Sequence, residues 1–157
     1  MKVLSLVVGD MEVNCYIVYC EESLQCAVID PGDDCDDIMR TIEENHLIPK
    51  YILLTHGHFD HIGAVKELKE RTNAMIAIHP KDVDLLTDAS RNLSGLLAGK
   101  NSVQVPPDIL IEDGDRLEVG NAVLQVIHTP GHTMGGVTYM EATYMGQALT
   151  GKIFLLQ

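Results

Sequence analysis

Three histidines and an aspartate fall within six residues, His56-Gly57-His58-Phe59-Asp60-His61. Imidazole nitrogens and carboxylate oxygens are the donors that zinc and iron favour. His56, His58 and Asp60 are two residues apart, and in extended backbone such residues point to one side. Gly57 puts no side chain between the first two histidines and lets the loop bend tightly. His61 is placed to open a following helix from the same loop. The bland alternative is a polar turn with surface histidines. Four ligand-type side chains at this density, directly after a short apolar run, favour metal binding.

The elements that must position these groups are legible in outline. Lys2 to Val8, Val13 to Tyr19 and Leu24 to Ile29 read as strands rich in β-branched residues, the last two joined by the polar Glu21-Glu22-Ser23. Asp30-Pro31-Gly32 is turn chemistry. Asp33 to Asp37 then forms an acidic helix start, favourable at the positive end of the helix dipole, and Ile38, Met39 and Ile42 give that helix an apolar face. Tyr51 to Leu54, following Pro49, predicts a short buried strand that delivers the chain to His56. A second helix follows, with Ile62, Val65 and Leu68 as its buried stripe and Glu67 and Arg71 as an i,i+4 pair on its wet side.

Ala74 to Ile78 is a further buried strand, ending at His79-Pro80, and a short helix starts at Lys81. Residues 93 to 102 form a Ser/Gly/Asn-rich loop in which Leu96 and Leu97 could wall a cleft. Arg116 to Val119 and Val123 to Ile127, joined by Gly120-Asn121, predict a hairpin. His128 to His132 reads as a loop, and Gly136 to Met140 and Ala148 to Thr150 as the last strands. His46 and His79 follow no ligand pattern and read as helix-end and strand-end residues. Strands and helices in this order predict an α/β sheet with helices on its faces.

Composition bounds the rest. The 157 residues suit one domain, 1–157. Apolar residues make up 46% and aromatics only 4%, so Val, Ile, Leu and Met must fill the core. Cys15, Cys20, Cys26 and Cys35 form no CxxC pair, and buried free thiols are expected. No apolar run reaches membrane-spanning length and Met1 to Val8 lacks a cleavage site, which predicts a cytoplasmic protein without a membrane partner. The net charge is −12, and residues 1–50 carry eleven acidic and three basic side chains. Such a surface repels phosphate backbones, so no nucleic-acid partner is expected.

The HxHxDH run of His56 to His61 resembles the signature of the metallo-β-lactamase superfamily. Asn14-Cys15-Tyr16, Val28-Ile29-Asp30-Pro31-Gly32, Thr129-Pro130-Gly131-His132-Thr133 and Leu149-Thr150-Gly151 resemble that family's landmarks in the same order, most closely those of its glyoxalase-II-like hydrolases. The resemblance covers nearly the whole chain. It implies an αββα sandwich with a metal site at one edge of the two sheets. Residue by residue, it implies that His56, His58 and His132 hold one metal and that Asp60 and His61 contribute to a second. Zinc is the implied metal, one or two ions, with iron or manganese as alternatives. Asp30 is placed behind the ligands, where a carboxylate can fix an imidazole tautomer, or it simply caps its turn. His128, four residues before His132, reads as structural.

The implied reaction is hydrolysis of a small ester or thioester by hydroxide made on the metal, with Asp60 as the catalytic group that orients the water and receives its proton. Two other readings stand beside it: a non-catalytic metal-binding fragment, and iron-dependent oxidoreductase chemistry on the same fold. The pattern breaks near the end. The family has a metal-bridging Asp where this chain has Lys152, an ammonium with no lone pair to give. The family's last histidine and its carrier-recognition residues lie beyond Gln157. A sandwich incomplete in its C-terminal half is therefore expected, with a mononuclear site, a Lys152–Asp60 ion pair, or an ending that is not the natural one as its explanation. Exposed sheet edges in such a chain leave a homodimer open.

Overall fold

In a computed structural model, the structure describes residues 1–92, 104–145, 148–150 and 153–154. Lys152, Leu96 and Leu97 lie outside them. The order is β1 (Lys2–Val8), β2 (Val13–Tyr19), β3 (Gln25–Ile29), α1 (Cys35–Glu44), β4 (Ile48–Leu53), α2 (Phe59–Ile62), α3 (Val65–Thr72) and β5 (Met75–Ile78). A 3-10 turn (Pro80–Asp82) and α4 (Val83–Thr87) follow, then β6 (Ile109–Leu110), β7 (Arg116–Val119), β8 (Ala122–His128), β9 (Val137–Met145), β10 (Ala148–Thr150) and β11 (Ile153–Phe154).

The first sheet runs β1-β2-β3-β4-β5-β6 and the second β10-β9-β8-β7, with β11 also on β9. β1, β2 and β3 pair antiparallel, and β3 to β6 pair parallel. The second sheet is antiparallel, and the predicted Gly120-Asn121 turn joins β7 to β8 with Val119 opposite Ala122.

The period of two in the strands builds two cores. Cys15, Ile17, Cys26, Val28, Ile52, Ile76 and Ile78 face the helices and meet Ile38, Ile42, Val65 and Leu68. Val18, Ala27, Ile29, Tyr51, Leu53 and Ala77 face the other way and meet Leu117, Val119, Leu124, Val126, Val137 and Tyr139 of the second sheet. β3 is therefore buried on both sides, as a parallel strand between two layers must be. Helix, sheet and sheet are three layers of the αββα sandwich that the resemblance implies. All four cysteines are free and buried.

Three differences from the sequence reading have physical causes. The strand through Tyr51 begins at Ile48 and includes Pro49, which lies beside a register irregularity at Cys26, a place where the missing N–H does no harm. The second helix is two, α2 and α3, broken at Gly63-Ala64, where the Ala64 amide leaves the helical pattern and donates to the Pro31 carbonyl. His128 closes strand β8 instead of opening a loop.

Candidate metal centre

β3, β4 and β5 are parallel, and their C-terminal ends release Asp30, His56 and His79 on one side of the sheet, where ligands gather in open α/β sheets. The β8–β9 connection brings His132 to the same edge. Two bonds tie the sheets there. The Val137 amide donates to the Thr55 carbonyl at 2.9 Å, and the buried Tyr139 hydroxyl donates to the Leu54 carbonyl at 2.8 Å.

Asp30 is fully buried, in a left-handed conformation (φ 51) that aims its carboxylate back at the end of β4. It accepts from the Thr55 amide at 2.8 Å, from the Thr55 hydroxyl at 2.6 Å and from His61 Nδ1 at 2.9 Å. This assigns the protons. Thr55 has one hydroxyl hydrogen and gives it to Asp30. Its oxygen can then only accept from His56 Nδ1, 3.1 Å away. His56 is thus a Nδ1–H imidazole whose lone pair lies on Nε2. That Nε2 is buried and has no hydrogen-bond partner. The bond to Asp30 likewise places a proton on His61 Nδ1. One carboxylate thus places the Nδ1 proton of two histidines, one directly and one through a threonine, contacts that suit the first of the two sequence readings of Asp30.

His58 and His132 complete a group with His56 in which one ring nitrogen from each lies within 4.8 Å of the others. His58 Nδ1 and His132 Nε2 are 3.0 Å apart, and the two rings stand nearly perpendicular at 89°. Burial, and then the neighbouring imidazoles, push the His56 pKa down to about 2. Burial and then His132 lower that of His58. His56 and His58 are thus held as neutral donors, the form a metal requires. A buried lone pair with no partner, beside two converging imidazoles, fits a divalent cation of the zinc class. Gly57 belongs to this fit: a Cβ there would come within 2.5 Å of Leu85 Cβ.

His61 behaves differently. Burial acts to lower its pKa, but its hydrogen bond to Asp30 and the charges of Asp30 and Asp60 outweigh that and raise it. Asp60 Oδ2 lies 3.7 Å from His61 Nε2. Asp60 does not join the His56–His58–His132 group. The extended backbone that aims His56 and His58 together ends at His58, since α2 begins at Phe59, so the i+4 alignment fails at Asp60 and a helical turn sends it towards His61. Backbone packing sets that turn. A Cβ at Gly32 would overlap the Asp60 carbonyl oxygen, and one at Gly63 would overlap the Gly32 carbonyl oxygen. Both glycines are where two backbones touch.

His46 is an exposed residue just past α1. His79 directly follows β5 and stacks on His128 at 4.3 Å between ring centroids, and His128 Nε2 lies 3.0 Å from the Met134 carbonyl. His128, read as structural, does not join the His56–His58–His132 group. Two polar residues at the site had no signal in the sequence reading. Thr55 is one. Asp82, in the turn after His79-Pro80, is the other: its buried carboxylate accepts from the Thr133 hydroxyl at 2.6 Å and the Gly135 amide at 2.7 Å.

The model of the metallo-beta-lactamase superfamily matches residues 8–141. A Bacillus subtilis protein described as a probable metallo-hydrolase, YqgX, is 40% identical over 139 residues, which are 88% of this chain and 65% of that protein. The hydroxyacylglutathione hydrolase of Klebsiella pneumoniae is 32% identical, over 82% of this chain and 43% of that enzyme. Among solved structures, the B3 metallo-beta-lactamase BLEG-1 superposes with a TM-score of 0.82 at 32% identity, covering 89% of this chain and 67% of its own. TTHA1623 in a di-iron-bound form superposes at 0.73 with 34% identity, over 87% of this chain and 65% of its own. The chain thus spans about two thirds or less of the length of these relatives.

Proposed function

The chain belongs to the metallo-beta-lactamase superfamily, and from that premise we propose that it is a metal-dependent hydrolase acting on a small ester or thioester. His56, His58 and His132 hold the first metal, zinc in this reading. Asp60 and His61 belong to a second position. One observation carries the proposal: His56 Nε2 is buried, without a partner, and fixed as a lone pair by the Asp30–Thr55 relay. A polar turn with surface histidines has no reason to hold a neutral buried nitrogen open.

A bound divalent ion supplies Lewis acidity and acidifies water towards neutral pKa. The chain's own residues do the rest. Asp30 and Thr55 keep the His56 proton on Nδ1 and so keep Nε2 facing the site. Asp60 is partly exposed beside His61, where its carboxylate can orient a water and take its proton at Oδ2. His61, bonded to Asp30 through Nδ1, presents Nε2 to the same space. The thioester preference rests on the likeness to the Klebsiella hydroxyacylglutathione hydrolase. No nucleic acid or membrane enters this proposal.

The test is cleavage of a glutathione thioester and of an activated ester by the chain reconstituted with zinc. Turnover that a chelator abolishes and zinc restores is the expected result. Turnover indifferent to the chelator would remove the metal from the account, and no turnover from a zinc-loaded chain would leave a metal-binding fold without the proposed reaction.

A further inference from the structure

We propose that Asp82 is a positioning residue that holds His132 in register with His56 and His58. The proposal rests on the metal-centre reading above, but its geometry is independent of that reading. His132 sits in the β8–β9 connection and its side chain is exposed, so little packing restrains the ring itself. Beside the loop's own bonds, from the Thr129 amide to the Gly136 carbonyl and from the Gly131 amide to the Thr133 carbonyl, what ties it to the turn after β5 is Asp82, only 1% exposed. Its two carboxylate oxygens are shared out across the loop. Oδ2 accepts from the hydroxyl of Thr133, the residue after His132, and Oδ1 accepts from the Gly135 amide. A buried carboxylate with two short bonds to one loop is costly to leave unpaired, so each bond holds the loop against it.

The same corner of the fold also touches the other ligand loop. Leu85 Cβ and the Asp82 carbonyl oxygen fill the space where a side chain at Gly57 would stand, at 2.5 and 3.3 Å. Gly57 lies between His56 and His58. At Gly135 an added Cβ would come within 2.7 Å of the Asp82 carboxylate. The turn after β5 is therefore wedged between the two loops and meets each at a glycine. Asp82 is the one polar link it makes to the His132 side among the described residues. A positional error of this turn would change the His58–His132 separation, now 3.0 Å between ring nitrogens.

The experiment compares the chain with D82A, D82N and T133V. Co(II) affinity is read by competition with a chromophoric chelator, geometry by the visible d–d bands of the bound Co(II), and loop order by amide hydrogen exchange at Gly131 and Gly135 in the metal-free chain. D82A is expected to weaken Co(II) binding by about tenfold or more, with an altered d–d spectrum and loss of protection at Gly135. D82N keeps an acceptor for the Gly135 amide and an NH₂ that the Thr133 hydroxyl can accept from, so it is expected to restore affinity to within about threefold of the parent. D82A with the affinity and spectrum of the parent overturns the proposal. Should D82A fail to fold, T133V, which removes one of the two bonds, is expected to weaken binding about threefold, and an unchanged value overturns the proposal. A parent chain that takes up no Co(II) overturns the metal-centre reading instead. Amide exchange then decides on Asp82: unchanged protection in the folded variant overturns it, and selective loss at Gly135 supports it.

Discussion

At the scale of single residues, the site is a problem in proton placement. Three imidazoles close together must all stay neutral and must present lone pairs. Asp30 does this for His56 through Thr55, while its direct bond to His61 Nδ1 favours the charged form of that ring. The relay gives Thr55 more weight than a threonine at a strand end ordinarily has. Thr55→Val keeps the shape but leaves the His56 Nδ1–H without an acceptor and removes one donor from a buried carboxylate. The expected loss is about 1–3 kcal/mol of stability by urea unfolding and about tenfold in zinc affinity by chelator competition. An unchanged zinc affinity would detach the relay from the site. The sequence reading singles out His56, His58, Asp60 and His61 because four donor side chains stand almost adjacent, and His132 through the resemblance carried by its Thr-Pro-Gly-His setting; the structure brings His56, His58 and His132 together and leaves Asp60 beside His61. It missed Thr55 and Asp82 because their partners, Asp30 for the one and Thr133 and Gly135 for the other, are distant in sequence.

At the scale of elements, the site depends on backbone meeting backbone. Gly32 lies against the Asp60 carbonyl and Gly63 against the Gly32 carbonyl. These contacts dock the start of α2 on the turn after β3, and through it set Asp60 and His61 over Asp30. Gly32→Ala is expected to destabilise the chain by about 3 kcal/mol, since neither partner is a flexible side chain that could yield. Gly131→Ala, with nothing within 4 Å of the added methyl, is expected to stay within about 0.5 kcal/mol of the parent. Denaturant unfolding of the pair checks the contrast, and equal losses would refute the packing argument. Strand periodicity made β1, β2, β7 and the apolar faces of α1 and α3 legible from sequence. The break between α2 and α3 was not, because Ile62, Val65 and Leu68 keep one helical spacing across it, and only the third dimension brings Pro31 against Ala64. The helical position of Asp60 was hidden for a related reason, since its spacing from His58 suits extended backbone equally well.

At the scale of the molecule, two sheets share one edge at which both ligand loops emerge. The loops are bound to each other by Val137 to Thr55 and by Tyr139 to Leu54, so the metal centre is built where the two cores join. The layer order came from the resemblance that the landmark motifs carry, since the alternation of strands and helices gives only an α/β sheet with helices on its faces. The pairing of β6 with β5 did not, because a strand of two residues, Ile109–Leu110, carries no periodic signal. A net charge of −12 spread over such a body favours an approaching cation over a polyanion.

The central claim is that three histidines of this chain hold a metal. Elemental mass spectrometry on protein purified without added metal tests it most directly. The account predicts about one equivalent of zinc or iron per chain, lost in His58→Ala while the circular dichroism spectrum is kept. A folded parent chain with metal near zero, or a His58→Ala variant that retains the metal, would contradict it.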